Sequence, residues 1–137
     1  MNSFIKSTYK YKKNRAILSL GSNSTASVNI EKAGKLLEER FPAILFSTAR
    51  KTEPIGMANC LAFINQVAYI FTSLSSKQLI DVLKNIELAL GRNPVDKEII
   101  AIDIDLVQYN DQIIKAKEYS YPHVKQGIIE IQENIKQ

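Results

Sequence analysis

Residues 63–91 read FINQVAYIFTSLSSKQLIDVLKNIELALG, and the fold turns on how this stretch is read. Residues 63–74 form the longest strand candidate in the chain. On a strand, alternate side chains point to opposite faces. Phe63, Asn65, Val67, Tyr69 and Phe71 therefore share one face, and Ile64, Gln66, Ala68 and Ile70 share the other. Ser75 followed by Gln78 is a capping box, which opens a helix by satisfying free backbone donors at its start. Leu79, Val82, Leu83, Ile86 and Leu90 then lie along one helical stripe, and Gly91 ends it.

Upstream, Ala16-Ile17-Leu18-Ser19-Leu20 is a short apolar run that reads as a buried strand ending at Gly21. Gly21-Ser22-Asn23-Ser24 is turn chemistry opening a helix. Ile30, Ala33, Leu37 and Phe41 follow helical spacing, and Pro42 stops it. Residues 43–48 read as a second strand, followed by a loop over residues 53–59. Downstream of Gly91 comes a polar loop with Pro94. Residues 102–109 read as a strand, Asn110-Asp111 as a turn, and residues 112–114 as a hairpin partner. The order predicts an α+β fold: a ferredoxin-like βαββαβ sandwich with an added β-hairpin, its helices on one face of an antiparallel sheet. Such a fold hosts many functions and names none.

A length of 137 residues suits one domain. With 45% hydrophobic and 23% charged residues, the chain is excluded from the disordered, collagen-like and disulfide-scaffold classes. Cys60 is the sole cysteine, which fits a reducing, cytoplasmic setting. No apolar run approaches the ~18–20 residues of a membrane span. The formal charge of +4 suggests an acidic partner until it is read by position. Residues 1–15 hold Lys6, Lys10, Lys12, Lys13 and Arg15 and no acid, leaving 13 basic against 14 acidic residues beyond them. The division expected is a basic extension over residues 1–14 and a single domain over 15–137. The near-neutral body predicts neither a nucleic-acid nor a membrane partner, and no obligate protein partner is inferred. Of the 18 basic residues only four are arginine: Arg15, Arg40, Arg50 and Arg92.

The sharpest chemical feature is Asp103-Ile104-Asp105. On a strand the two carboxylates share a face at roughly 6–7 Å, given the ~3.3 Å rise per residue. Acids so placed repel unless a cation sits between them, and magnesium typically takes one or two carboxylates plus substrate phosphates. A pair of solvated acids at a strand edge is the competing reading. Phe63 and Asn65, on one strand face, suit a flat heterocycle: one stacks and the other reads a polar edge. Phe63 as ordinary core is the plainer alternative. His123, the only histidine, follows Pro122 and could donate to a phosphate or simply cap the chain. Gly21 could open an anion site at a helix start, or let another segment pass closely. Cys60 has no base beside it in sequence.

These features, in this order, resemble the 6-hydroxymethyl-7,8-dihydropterin pyrophosphokinase family over residues 16–127. The resemblance is carried by Ile17-Leu18-Ser19-Leu20-Gly21-Ser22-Asn23, Thr52-Glu53-Pro54-Ile55-Gly56, Phe63-Ile64-Asn65, Ile86-Glu87 with Gly91-Arg92, Asp103-Ile104-Asp105-Leu106-Val107, and Pro122-His123. It implies a ferredoxin-like core and an enzyme that moves pyrophosphate from ATP to a reduced pterin in folate biosynthesis. It implies two magnesium ions held by Asp103 and Asp105, with ATP as co-substrate. It further implies a pterin pocket of Thr52, Pro54, Ile55, Phe63 and Asn65, and a nucleotide side of Glu87, Ser120 and His123. Arg92 and Lys97 join the two aspartates as expected catalytic residues.

The chain departs from that pattern in its cations. The family carries an arginine three residues before the first aspartate, where this chain has Ile100. The loop between Arg92 and Asp103 is about two residues short, Val124 stands where an aromatic is usual, and the segment beyond is curtailed. Lys84, Lys97 and Lys125 are the expected replacements, although lysine supplies charge without the planar fork of arginine. Three readings stand: a pyrophosphokinase slowed by these losses, a relative that binds pterin, a nucleotide or a protein partner without turnover, or a ferredoxin-like domain of unrelated role such as nucleic-acid binding through the basic extension.

Overall fold

The computed structural model describes residues 14–53 and 62–136. Most of the basic extension, and Pro54, Ile55 and Cys60, lie outside them. β1 (Asn14–Ser22) is the middle strand because it offers apolar side chains to both sides. It pairs antiparallel with β4 (Phe63–Thr72) on one edge and β5 (Asp103–Tyr109) on the other. β2 (Ile44–Phe46) and β3 (Arg50–Thr52) both lie along the far edge of β4, and β6 (Gln112–Ile113) closes a hairpin on β5. The strand order β2-β4-β1-β5-β6, with β3 off β4, carries the ferredoxin-like pairing plus a hairpin.

α1 (Ala26–Arg40) and α2 (Ser76–Ala89) pack on one face of the sheet. Ile30, Ala33 and Leu37 of α1 and Leu79, Leu83 and Ile86 of α2 meet Leu18, Leu20, Ala68, Ile70, Ile104 and Leu106 there. α2 starts on the capping box: Gln78 N–H donates to Ser75 Oγ at 3.2 Å, and Ser75 N–H donates to Gln78 Oε1 at 2.9 Å. It stops where Gly91 takes a φ of 91°, a conformation without penalty only for glycine.

Two elements differ from the sequence expectation. The strand read over residues 43–48 is the three-residue β2. A separate β3 follows it, set off where the Ser47 hydroxyl accepts the Val67 N–H at 2.9 Å. The chain beyond the hairpin is also helical: a single turn, α3 (Ala116–Tyr119), then α4 (Pro122–Lys136). α4 packs on the face opposite α1 and α2, so helices cover both sides of the sheet, not one. Its Val124, Ile128 and Ile131 meet Ile17, Val67, Tyr69 and Val107. Gly127 sets the depth of that contact, because a Cβ there would fall 2.4 Å from Val67 Cγ2.

Candidate active site

α4 covers only part of its face. Next to its start, the same face shows Ser19, Gly21, Asn65, Asp103 and Asp105, which line a cavity of about 220 Å³. The register explains the grouping. Gly21 of β1 lies opposite Asn65 on β4 and opposite Asp103 on β5, while Ser19 lies opposite Asp105. A Cβ at Gly21 would sit tightly against Asn65 Oδ1, at 3.0 Å, and in ordinary contact with Phe63 Cδ1, at 3.6 Å. Glycine thus leaves room beside the strand for the Asn65 amide. Asn65 Nδ2 donates to Thr52 Oγ1, which β3 brings opposite Phe63. β3 is in turn held by Glu130 of α4, whose carboxylate accepts from Thr48 N–H at 2.7 Å and from Arg50.

The paired aspartates also line a second cavity, about 180 Å³, with Lys84, Glu87 and Lys115 around Ile80, Leu83, Leu106 and Ile114. Asp103 and Asp105 therefore stand at the junction of two cavities. Asp103 titrates at about 8, raised first by burial, then by its hydrogen bond to Asp105 and the charges of Asp105 and Glu87. Burial also raises Glu87, whose carboxylate accepts the edge N–H of Ile104 at 2.7 Å. Lys115 Nζ donates to Asp105 Oδ1 at 2.7 Å. Burial lowers the Lys115 pKa, but Asp105, Asp103 and Glu118 outweigh it and the net shift is upward.

This is a site that fits a divalent cation. It gathers acidic oxygen on one strand face and holds a carboxylate poorly stabilised as an anion. Among the described residues no group of three His, Cys, Asp or Glu side chains is arranged to hold a metal. Two carboxylates with the remaining positions left to water and substrate oxygen is the pattern magnesium uses.

His123, at the start of α4, lines the first cavity beside Phe63 and Asn65, and burial lowers its pKa. Glu87 lines the second cavity. Ser120 lines neither, and its hydroxyl donates to Lys117 O at 2.6 Å. The three residues expected on the nucleotide side are thus divided. Arg92 follows Gly91 at the end of α2. Its charge lies near Glu87 and Asp103, and its Nη1 is buried without a hydrogen-bond partner among the described residues. Lys97 and Lys125 are exposed and line neither cavity, whereas Lys84 lines the second. A larger groove of about 590 Å³ runs between α1 and β2–β3, and none of the expected site residues lines it.

A family model described as 7,8-dihydro-6-hydroxymethylpterin-pyrophosphokinase matches residues 17–132. The chain belongs to this family. It is similar to the 2-amino-4-hydroxy-6-hydroxymethyldihydropteridine pyrophosphokinase of Aquifex aeolicus, 34% identical over 108 residues, covering 77% of this chain and 68% of that protein. The Haemophilus influenzae protein of the same name is 30% identical over 112 residues, covering 79% and 70%. The folic acid synthesis protein fol1 of Pneumocystis carinii is 30% identical over 125 residues, 89% of this chain but 17% of that protein, so the chain spans about a sixth of its length.

Within this pyrophosphokinase family chain, Ile100 stands where the resemblance places an arginine. Its side chain is buried and its N–H donates to Asn23 Oδ1 at 2.6 Å. Asn23 Nδ2 donates to Glu98 O at 2.6 Å, and Ser22 Oγ donates to Ala101 O at 2.6 Å. The Gly21-Ser22-Asn23 turn therefore clamps the segment leading into Asp103, which favours the close-passage reading of that motif. The residue that sequence reasoning missed is Lys115. Its signal is weak: a lysine just after a hairpin, ten residues beyond the acid it meets.

Proposed function

We propose that this chain transfers pyrophosphate from ATP to the hydroxymethyl group of 6-hydroxymethyl-7,8-dihydropterin, with Asp103 and Asp105 holding two magnesium ions. The observation that carries the proposal is the place of the two aspartates, shared by both cavities. In the first, Phe63 offers a ring face, and Asn65, fixed by Thr52, offers an amide to a heterocycle edge. In the second, Lys84, Lys115 and the apolar Ile80, Leu106 and Ile114 suit a nucleotide. The resemblance puts Pro54 and Ile55 on the pterin side and Ser120 and His123 on the nucleotide side, although His123 lines the first cavity and Ser120 lines neither.

In the reaction, the pterin hydroxymethyl oxygen forms a bond to the β-phosphorus of ATP. The bond from that phosphorus to the oxygen bridging the α-phosphate breaks, AMP leaves, and the hydroxyl proton is released. Magnesium, when bound, would neutralise the charge on the phosphate oxygens. The chain's own task is positioning. The β1–β5 register fixes the aspartates, and the charge of Arg92 lies near Asp103 and Glu87 although its side chain lines neither cavity. The lone Cys60 supports a cytoplasmic setting, and the near-neutral body supports small-molecule partners only, with residues 1–14 as a basic extension to a domain over 15–137.

The test is AMP release from ATP with the hydroxymethyl pterin and magnesium. Turnover is expected, with Asp103→Ala lowering it by on the order of 10²–10³-fold, the scale for losing one charge-stabilising group. The buried Ile100 favours a second reading, a family member that binds without turnover. Pterin binding by calorimetry without AMP release would establish that reading in place of the first.

A further inference from the structure

Lys115 is not among the residues that carry the family resemblance, yet among the described residues it makes the one ion pair to the paired aspartates. Its position is built. The N–H groups of Ile114 and Lys115 both reach back to Val107 O, at 2.9 and 3.3 Å, which fixes the backbone beside the open edge of β5. From there Nζ reaches Asp105 Oδ1 at 2.7 Å. The Asp105 side chain is largely buried, at 16% exposure, while that of Lys115 is 46% exposed and so can leave without opening the core. The same lysine lines the second cavity, opposite Lys84 and Glu87.

We propose that Lys115 is a stand-in cation. It occupies Asp105 while no metal is bound, competes with a divalent cation for that carboxylate, and turns to the nucleotide's phosphates once the metal replaces it. The inference rests on the reading of Asp103 and Asp105 as metal-holding residues. Physically, the lysine charge is a single point on a flexible stem, so its hold on a phosphate strengthens once Asp105 no longer shares it. A divalent ion on Asp105 removes its partner and frees the ammonium to meet a polyphosphate entering the second cavity, which Lys115 lines. The chain thereby recovers part of the positive charge it lacks in arginine.

The experiment measures Mn²⁺ binding by the electron paramagnetic resonance of the free ion, without nucleotide, in the wild type, Lys115→Gln, Lys115→Arg and Asp105→Asn. Calorimetry with α,β-methylene-ATP and Mg²⁺ follows. Lys115→Gln is expected to bind Mn²⁺ roughly two- to five-fold more tightly, the scale of a partly exposed ion pair. It is expected to bind the nucleotide analogue roughly ten-fold more weakly, the scale of a charged hydrogen bond. Lys115→Arg should restore the nucleotide affinity. Unchanged or weaker Mn²⁺ binding in Lys115→Gln, or unchanged nucleotide affinity, overturns the proposal. Asp105→Asn separates the two claims. If it abolishes Mn²⁺ binding while Lys115→Gln fails to tighten it, only the stand-in role falls. If it leaves Mn²⁺ binding intact, the metal reading falls and takes the stand-in role with it.

Discussion

The two faces of the sheet are made from alternate residues of the same strands, yet they differ in kind. Where α1 and α2 meet it, one face is apolar: Leu18 and Leu20 of β1, Ala68 and Ile70 of β4, Ile104 and Leu106 of β5. The other face is apolar only beneath α4, at Ile17, Val67, Tyr69 and Val107. Past the start of that helix it changes to Ser19, Gly21, Asn65, Asp103 and Asp105. One face is closed and stabilises the fold. The other is half closed, and its open half gathers two acids: Asp103, whose charged form burial disfavours, and Asp105, held by Lys115.

The two faces should respond differently to pH. Asp103 carries a folded pKa of about 8, far above the ordinary carboxylate value of 3.8. The folded state thus holds a proton that the unfolded state releases, so stability falls as pH rises between those values. In a chelator, unfolding in urea should show a loss on the order of 2–5 kcal/mol from pH 5 to pH 8. Asp103→Asn should flatten the slope. A wild-type profile that rises over this window would mean the open half carries no uncompensated charge.

On the closed face, Leu83→Ala deletes a side chain that is 2% exposed. The cost should be about 3 kcal/mol, read as a lower urea midpoint with the same pH slope as the wild type. Beneath α4, Gly127→Ala places a methyl group against Val67 and should cost about 2 kcal/mol by overpacking. Because Glu130 of that helix holds Arg50 and Thr48, the variant should also weaken pterin binding, as measured by calorimetry. The smallest effect is remote from either cavity. Ser75→Ala removes the α2 cap and should cost about 1 kcal/mol, with AMP release unchanged per folded molecule.

The closed face was largely legible in the sequence, because period and capping report burial directly. The 63–72 alternation, the 79–86 stripe and the Ser75–Gln78 box all recur in the structure. The half-open face was less so. β3 is Arg-Lys-Thr, three residues without apolar alternation, and it exists through pairing with β4. α4 left a signal that went unread: Val124, Ile128, Ile131 and Ile135 repeat at helical spacing. The aspartates and the Phe63–Asn65 pair were visible because strand parity fixes their face. The meeting of Lys115 with Asp105 was not, since the conformation of the connection after β6 determines it.

The clamp at Ser22 and Asn23 also limits movement over the site. The segment after α2 is fixed at one end, where Arg92 N–H donates to Glu87 O at 3.0 Å, and at the other, where Glu98 O accepts from Asn23. Only residues 93–97 lie between these posts. Five residues fully extended span at most about 17 Å, so a loop pinned at both ends can rise from the surface by only a fraction of that. The side chain of Asp96 shortens it further by accepting the N–H groups of Glu98 and Ile99 at 2.9 and 3.0 Å. Any movement of this segment is therefore a short-stroke motion of one tight bend, hinged beside the strand that brings Ser19 and Gly21 to the first cavity.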